Sequence, residues 1–211
     1  MSENQLSQIV TLRQALDWLK RDLVQRGAIR INDKISLLVF LHDPLNYFMC
    51  LLRLKEWSVN AKVSFLFRWP IAYLFRRQSI KLGFSIPPNT FGSGLAIVHY
   101  GNIVVNGNAR IGENCRIHVG VNIGGAGGLV DNESAKSLSP SLGCNIYIAP
   151  GAKIYGPVRI ADNIAIGANA VVNRSFTTPG VTIAGMPAKK ISEKGSTGMI
   201  FDVAQSNKPI I

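Results

Sequence analysis

From residue 99 onward the chain keeps a period of six. Written in sixes from His99 it reads HYGNIV, VNGNAR, IGENCR, IHVGVN, IGGAGG, and after one interruption LGCNIY, IAPGAK, IYGPVR, IADNIA, IGANAV, VNRSFT. Ten of the eleven first positions are branched aliphatics: Val105, Ile111, Ile117, Ile123, Leu142, Ile148, Ile154, Ile160, Ile166 and Val172. The fifth position is compact or β-branched at Ile103, Ala109, Cys115, Val121, Ile146, Ala152, Val158, Ile164 and Ala170. A period of six with one large and one compact inward residue suits a chain that coils in short parallel strands. Three units make one triangular turn, each aliphatic stacks on its counterpart one coil away, and Gly or Asn takes the corners. A sandwich of alternating strands would instead show a period of two with turns every 8–12 residues.

The expected fold is therefore mainly β: a parallel β-helix of hexapeptide repeats over 84–192, preceded by an α-helical region over 1–83 and followed by a tail, 193–211. In the frame of sixes His99 stands where every other unit has an aliphatic, while His118 follows Ile117 and points outward. The polar run LVDNESAKSLSPS, residues 129–141, interrupts the coil without shifting the frame. An insertion that leaves a solenoid intact reads as a functional flap.

Ile9, Leu12, Leu16, Leu19 and Leu23 lie at helical spacing within residues 5–27, with Gly27 closing the segment. Residues 35–75 are denser in apolar residues, but Asp43, Pro44, Arg53, Lys55, Glu56, Arg68 and Pro70 break them. Neither part offers the ~20 unbroken apolar residues of a membrane span, so two or three packed helices are expected. Arg68, Arg76, Arg77 and Lys81 would suit the second part to a membrane surface. The net charge is +11, residues 1–83 hold thirteen Lys and Arg against six Asp and Glu, and no acidic residue occurs from Trp57 to Gly112. That bias favours anionic ligands. No nucleic-acid-binding signature accompanies it, so nucleic acid is not an expected partner. Cys50, Cys115 and Cys144 match no zinc spacing, and the polar start MSENQLSQ has no apolar signal core. Both favour a reducing, cytoplasmic setting, with an option for the inner face of the membrane.

The stretches GLAIVHYGNIVV, ARIGENCRIHVGVNIGG, IYIAPGAKIYGPVRIADNIAIGANAVV and VTIAGMPAKKI resemble the hexapeptide-repeat, left-handed β-helix acyltransferases, in their serine acetyltransferase-like branch, close to polysaccharide-cluster O-acetyltransferases. The resemblance covers roughly residues 84–192, and the HDP around Asp43 is similar too. It implies the left-handed sense, a homotrimer with sites between subunits (with stacking into a dimer of trimers left open), acetyl-CoA as co-substrate without a metal, and His99 as general base. An imidazole of ordinary pKa near 6.5 can take a proton from an attacking hydroxyl and return it to the leaving thiolate. Matched position by position, the resemblance makes Gly124, Gly125, Ala149, Gly151, Gly167, Ala168, Lys189 and Lys190 candidates for the cofactor groove. Asp43, His118 and Asn102 are candidates on the acceptor side, Asn102 as a group that orients His99.

The departures bear on the acceptor. The serine enzymes carry an Asp before the catalytic histidine, where this chain has Val98. Their inserted loop ends in His-Pro; here it is Ser139-Pro140. A free amino acid needs an anion for its ammonium and a cation for its carboxylate, since an unpaired buried charge costs several kcal/mol. The expected acceptor is therefore a sugar hydroxyl of a surface polysaccharide or its precursor, with serine as the alternative. A β-helix carbonic anhydrase would need three histidine ligands, and the repeats hold only His99 and His118.

Overall fold

A computed structural model describes residues 7–127, 134 and 138–201. Most of the 129–141 insertion and the tail from 202 to 211 lie outside the described residues.

Helix α1 (Leu12–Arg26) is fixed at both ends. Thr11 and Gln14 form a reciprocal capping box, and Gly27 closes the helix at φ 80°. It starts later than the apolar spacing suggests, and its buried face is rotated: Ala15, Leu19, Asp22 and Leu23 are buried, while Leu12 and Leu16 are exposed. The reason is Arg53 on α3 (Pro44–Asn60), which is 1% exposed and draws Asp22 inward. Its guanidinium donates to both Asp22 oxygens, at 2.7 and 3.1 Å, to Glu56 Oε2 at 2.8 Å, and to the carbonyls of Phe91 and Gly92. Asp22 in turn accepts from Leu95 N at 2.8 Å, and Glu56 accepts from Asn89 N at 2.8 Å. Burial works against the charged guanidinium, but the two carboxylates outweigh it and hold Arg53 protonated. This cluster ties two helices to the backbone where the coil begins. The short α2 (Leu38–His42) runs into Asp43, which caps α3 ahead of Pro44. Helix α4 (Phe65–Leu82) returns along α3 and ends at Gly83 in the left-handed region.

The coil has three faces. The first sheet stacks β1 (Phe84–Ser85), β3 (Ile103–Val105), β6 (Asn122–Gly124), β9 (Lys153–Tyr155) and β12 (Val171–Val172). The second stacks β4 (Arg110–Ile111), β7 (Ser141–Leu142) and β10 (Arg159–Ile160). The third holds β2 (Ala96–Ile97), β5 (Arg116–Ile117), β8 (Tyr147–Ile148), β11 (Ala165–Ile166) and β13 (Thr182–Gly185), with β14 (Ala188–Ser192) added antiparallel at the end. Every other pairing is parallel.

The register follows the frame of sixes. Leu142, Ile148 and Ile154 pair with Ile160, Ile166 and Val172, each 18 residues on, which is three sixes. Across the insertion Ile111, Ile117 and Ile123 pair with Leu142, Ile148 and Ile154, each 31 residues on, so the added 13 residues leave the stack in phase. All ten aliphatic first positions are at most 3% exposed. One corner ladder shows why Asn recurs: Asn114, Asn145 and Asn163 sit at φ 57–59°, each side-chain amide donating to the next Asn at 3.0 and 2.9 Å.

The first coil departs from the frame. Ile97, not His99, is the inward residue above Ile117. Eight residues separate Ile97 from Val105, where the later coils use six. The two extra residues widen the corner at 98–102, and His99 stands exposed on it instead of replacing a core aliphatic.

Candidate functional site

The corner between the third and first sheets gathers most of the residues singled out by sequence. Coil by coil it is made of residues 98–102, 118–121, 149–152 and 167–170. Backbone bonds run down it: Gly120 N donates to Asn102 O at 2.7 Å, Gly151 N to Val119 O at 2.9 Å, and Asn169 N to Pro150 O at 3.0 Å. Gly101 makes the widened turn possible, with φ 120° and a Cβ position only 2.7 Å from Val119 Cγ2.

His99 and His118 are neighbours here, their ring centroids 6.0 Å apart, and His118 packs edge-on against Tyr147 at 5.1 Å. Nε2 of His118 is buried without a hydrogen-bond partner. Burial first, then Arg116 and His99, push its pKa down to about 4, so His118 is neutral at pH 7. The side chain of Asn102 is exposed and makes no hydrogen bond to His99 among the described residues. The structure therefore gives no support to Asn102 as the group that orients His99.

Val98, His118, Ala149, Gly167 and Ala184 form one outward file. Successive members follow the core residues Ile97, Ile117, Ile148, Ile166 and Ile183, and the backbone N–H of each of the first four bonds to the next coil. At ~4.8 Å per coil the file runs about 14 Å from His118 to Ala184. Below the histidines it is lined by small residues. Ala149 is buried, Ala168 is exposed at the turn, and a Cβ on Gly167 would stand 2.7 Å from Ala184 Cβ. Ala184 pairs with Lys189 of β14, which places an exposed lysine, without an ion-pair partner among the described residues, at the foot of the file. Lys190 is ion-paired with Glu193. Gly151 belongs to this corner, whereas Gly124 and Gly125 do not. They end β6 on the next corner, where Gly124 packs against the Tyr155 ring and Gly125 against Leu138 and Ser139 at the foot of the insertion.

Asp43 lies across a cleft of about 400 Å³ lined by Arg26, Val39, His42, Asn46, Val98 and Arg116, among others. Both of its oxygens are engaged: Oδ1 accepts from Leu45 N at 2.8 Å, and Oδ2 meets Arg26 at 2.6 Å. Arg26 also donates to Asn46 Oδ1 at 2.7 Å and to Ile97 O at 3.0 Å. The arginines in this cleft were not among the sequence candidates. Their only sequence signal was the basic bias of the chain. Among the described residues no group of three His, Cys, Asp or Glu is placed to hold a metal, and no helix is long and apolar enough to cross a membrane.

No family model matches the chain. A serine acetyltransferase of Staphylococcus aureus strain Mu50 is 35% identical over 130 residues, 61% of this chain and 58% of that protein. The chain thus spans less than two thirds of that relative. The crystal structure of serine acetyltransferase from Brucella abortus superposes with a TM-score of 0.63 at 26% identity, covering 87% of this chain and 70% of that one. The Neisseria gonorrhoeae serine acetyltransferase, solved in complex with serine, gives 0.62 at 26%, covering 86% and 70%. These likenesses fix the coil as a left-handed parallel β-helix. With the hexapeptide register and the corner just described, they make the chain similar to the hexapeptide-repeat acyltransferases of the serine acetyltransferase-like branch.

Proposed function

We propose that the protein is an acetyl-CoA-dependent O-acetyltransferase that passes an acetyl group directly to an acceptor hydroxyl, with His99 as general base. The observation that carries this reading is the exposed His99 on a corner widened by two residues, at the head of a file that narrows to small residues and ends at Lys189. Acetyl-CoA supplies the thioester. His99 takes the hydroxyl proton as the oxygen attacks the carbonyl carbon, and returns it to sulfur as the C–S bond breaks. Ala149, Gly151, Gly167 and Ala168 form the floor for the pantetheine arm, and Lys189 meets a phosphate. Lys190, held by Glu193, plays a smaller part. The working form is a homotrimer, in which Gly124 and Gly125 serve the groove from the neighbouring subunit.

Two acceptors are in contention. Serine is supported by the names of the relatives. A sugar hydroxyl of polysaccharide biosynthesis is supported by the cleft: Val98 offers no charge, and Asp43 has spent both oxygens on Leu45 and Arg26. A membrane-proximal acceptor agrees with α4. Phe65, Leu66, Phe67 and Trp69 are 57–79% exposed on its first turns, with Arg68 among them. A second copy of a +11 chain would bring like charge to this face, whereas anionic lipid complements it.

The test is thiol release from acetyl-CoA with serine and with sugars offered as separate acceptors. His99→Ala is expected to lower transfer about 10²- to 10⁴-fold. A loss of less than about tenfold would remove His99 from the general-base role.

A further inference from the structure

The cleft beside Val98 contains a cation that the proposed chemistry does not yet use. Arg116 lies on β5, outward between Ala96 one coil above and Tyr147 one coil below. It is half-buried and lines the cleft with Arg26 and Asp43. Arg26 and Asp43 satisfy each other at 2.6 Å, and His42 Nδ1 is 2.9 Å from Leu38 O. Arg116 meets no carboxylate and donates no hydrogen bond among the described residues. The cleft therefore contains one compensated ion pair and one uncompensated guanidinium. A guanidinium so placed offers a planar fork of donors matched to a carboxylate or a phosphate.

Its position gives that anion a role. Arg116 precedes His118 by two residues on one face of the strand, about 6.6 Å along it. His118 in turn is the ring neighbour of His99. Val98, the chain neighbour of His99, lines the same cleft as Arg116, so an acceptor gripped at Arg116 can extend past Val98 toward His99. His118 is neutral there and does not compete for the anion. The compensated Asp43 also disfavours one class of acceptor, because an α-ammonium group arriving in this cleft finds no free carboxylate among the described residues.

We propose that Arg116 anchors an anionic group on the acceptor and that the acceptor is an acidic sugar, carrying a carboxylate or a phosphate but no ammonium group. The assignment rests on the transferase reading for its consequence, but not for its binding test. Calorimetry on the full chain without acetyl-CoA would use glucuronate, glucose 1-phosphate, neutral glucose and serine as probes. Glucuronate and glucose 1-phosphate separate a carboxylate source from a phosphate source. At least one of them is expected to bind about ten- to a hundredfold more tightly than glucose, the range of a hydrogen bond to a charged group. Arg116→Gln is expected to abolish that difference while leaving glucose unchanged, Arg116→Lys to restore part of it, and His99→Ala to leave it intact. Equal binding of glucose and both anions, an unchanged difference in Arg116→Gln, or tighter binding of serine would overturn the assignment. Arg116-dependent binding without acetyl transfer would sink the transferase reading and leave the subsite standing. Transfer to these sugars unaffected by Arg116→Gln would do the reverse.

Discussion

His118 and Arg53 are both polar groups drawn out of water, with opposite outcomes. The imidazole of His118 has no partner on Nε2 and a pKa pushed down to about 4. The folded state therefore binds its proton less readily than the unfolded chain does. Its stabilising effect is present above the ordinary value of 6.5 and is lost as pH falls from there toward 4. An NMR titration should place the His118 midpoint below 5, and one near 6.5 would contradict the packing described. Arg53 keeps its charge because Asp22 and Glu56 face it. Arg53→Met would leave two buried carboxylates uncompensated, and a loss of about 3–5 kcal/mol is expected in denaturant unfolding. A loss under 1 kcal/mol would show that water reaches the cluster. His118 was singled out in the sequence, but the Arg53 cluster was not legible there. Apolar spacing singled out Leu12 and Leu16 and passed over Asp22, because nothing local reveals that a guanidinium 31 residues away will bury a carboxylate. His99 was singled out by an argument the structure corrects: it is exposed on an enlarged turn, a shift that only the pairing of Ile97 with Ile117 shows.

Individual elements were more legible where a period enforces them. From Val105 to Val172 each inward aliphatic of the coil is buried by its neighbours, so there the frame of sixes set strand, face and register together. The corner ladder depends on the same repetition. Asn145→Leu would place a branched side chain at φ 57° and cut two amide bonds. A cost of about 2–4 kcal/mol is expected, from strain of 1–3 kcal/mol plus the lost bonds, and thermal unfolding measures it. Helix α4 has no such repetition, and its register could not be read beyond its being a helix. Its exposed first turns lead to a separate test. The protein should sediment with vesicles containing phosphatidylglycerol, less so as salt rises, and not with phosphatidylcholine alone. Phe67→Asp combined with Trp69→Ala should lose most of that binding. Salt-independent sedimentation with both vesicle types would argue against charge-directed docking.

At the scale of the molecule the assembly is what the sequence leaves least visible, since a repeat specifies its own neighbours along the coil and says little about those across it. Sedimentation equilibrium should find three copies of the 23.0 kDa chain, and a single copy would leave the groove beside His99 with only one wall. Both ends of the coil, however, are explicit. The helices clamp the first turn through Arg53, and β14 returns antiparallel along β13 with Lys189 and Lys190 on its length. The last strand thus presents to its surroundings a reversed direction and, at Lys189, a cation with no ion-pair partner among the described residues. A stack of parallel strands is open to extension by another molecule's strands, the route by which β-rich proteins become fibres. Reversing the last strand of the third sheet removes the parallel template at that edge, which disfavours end-to-end stacking there and leaves the sides of the coil as the surface on which copies of this chain can meet.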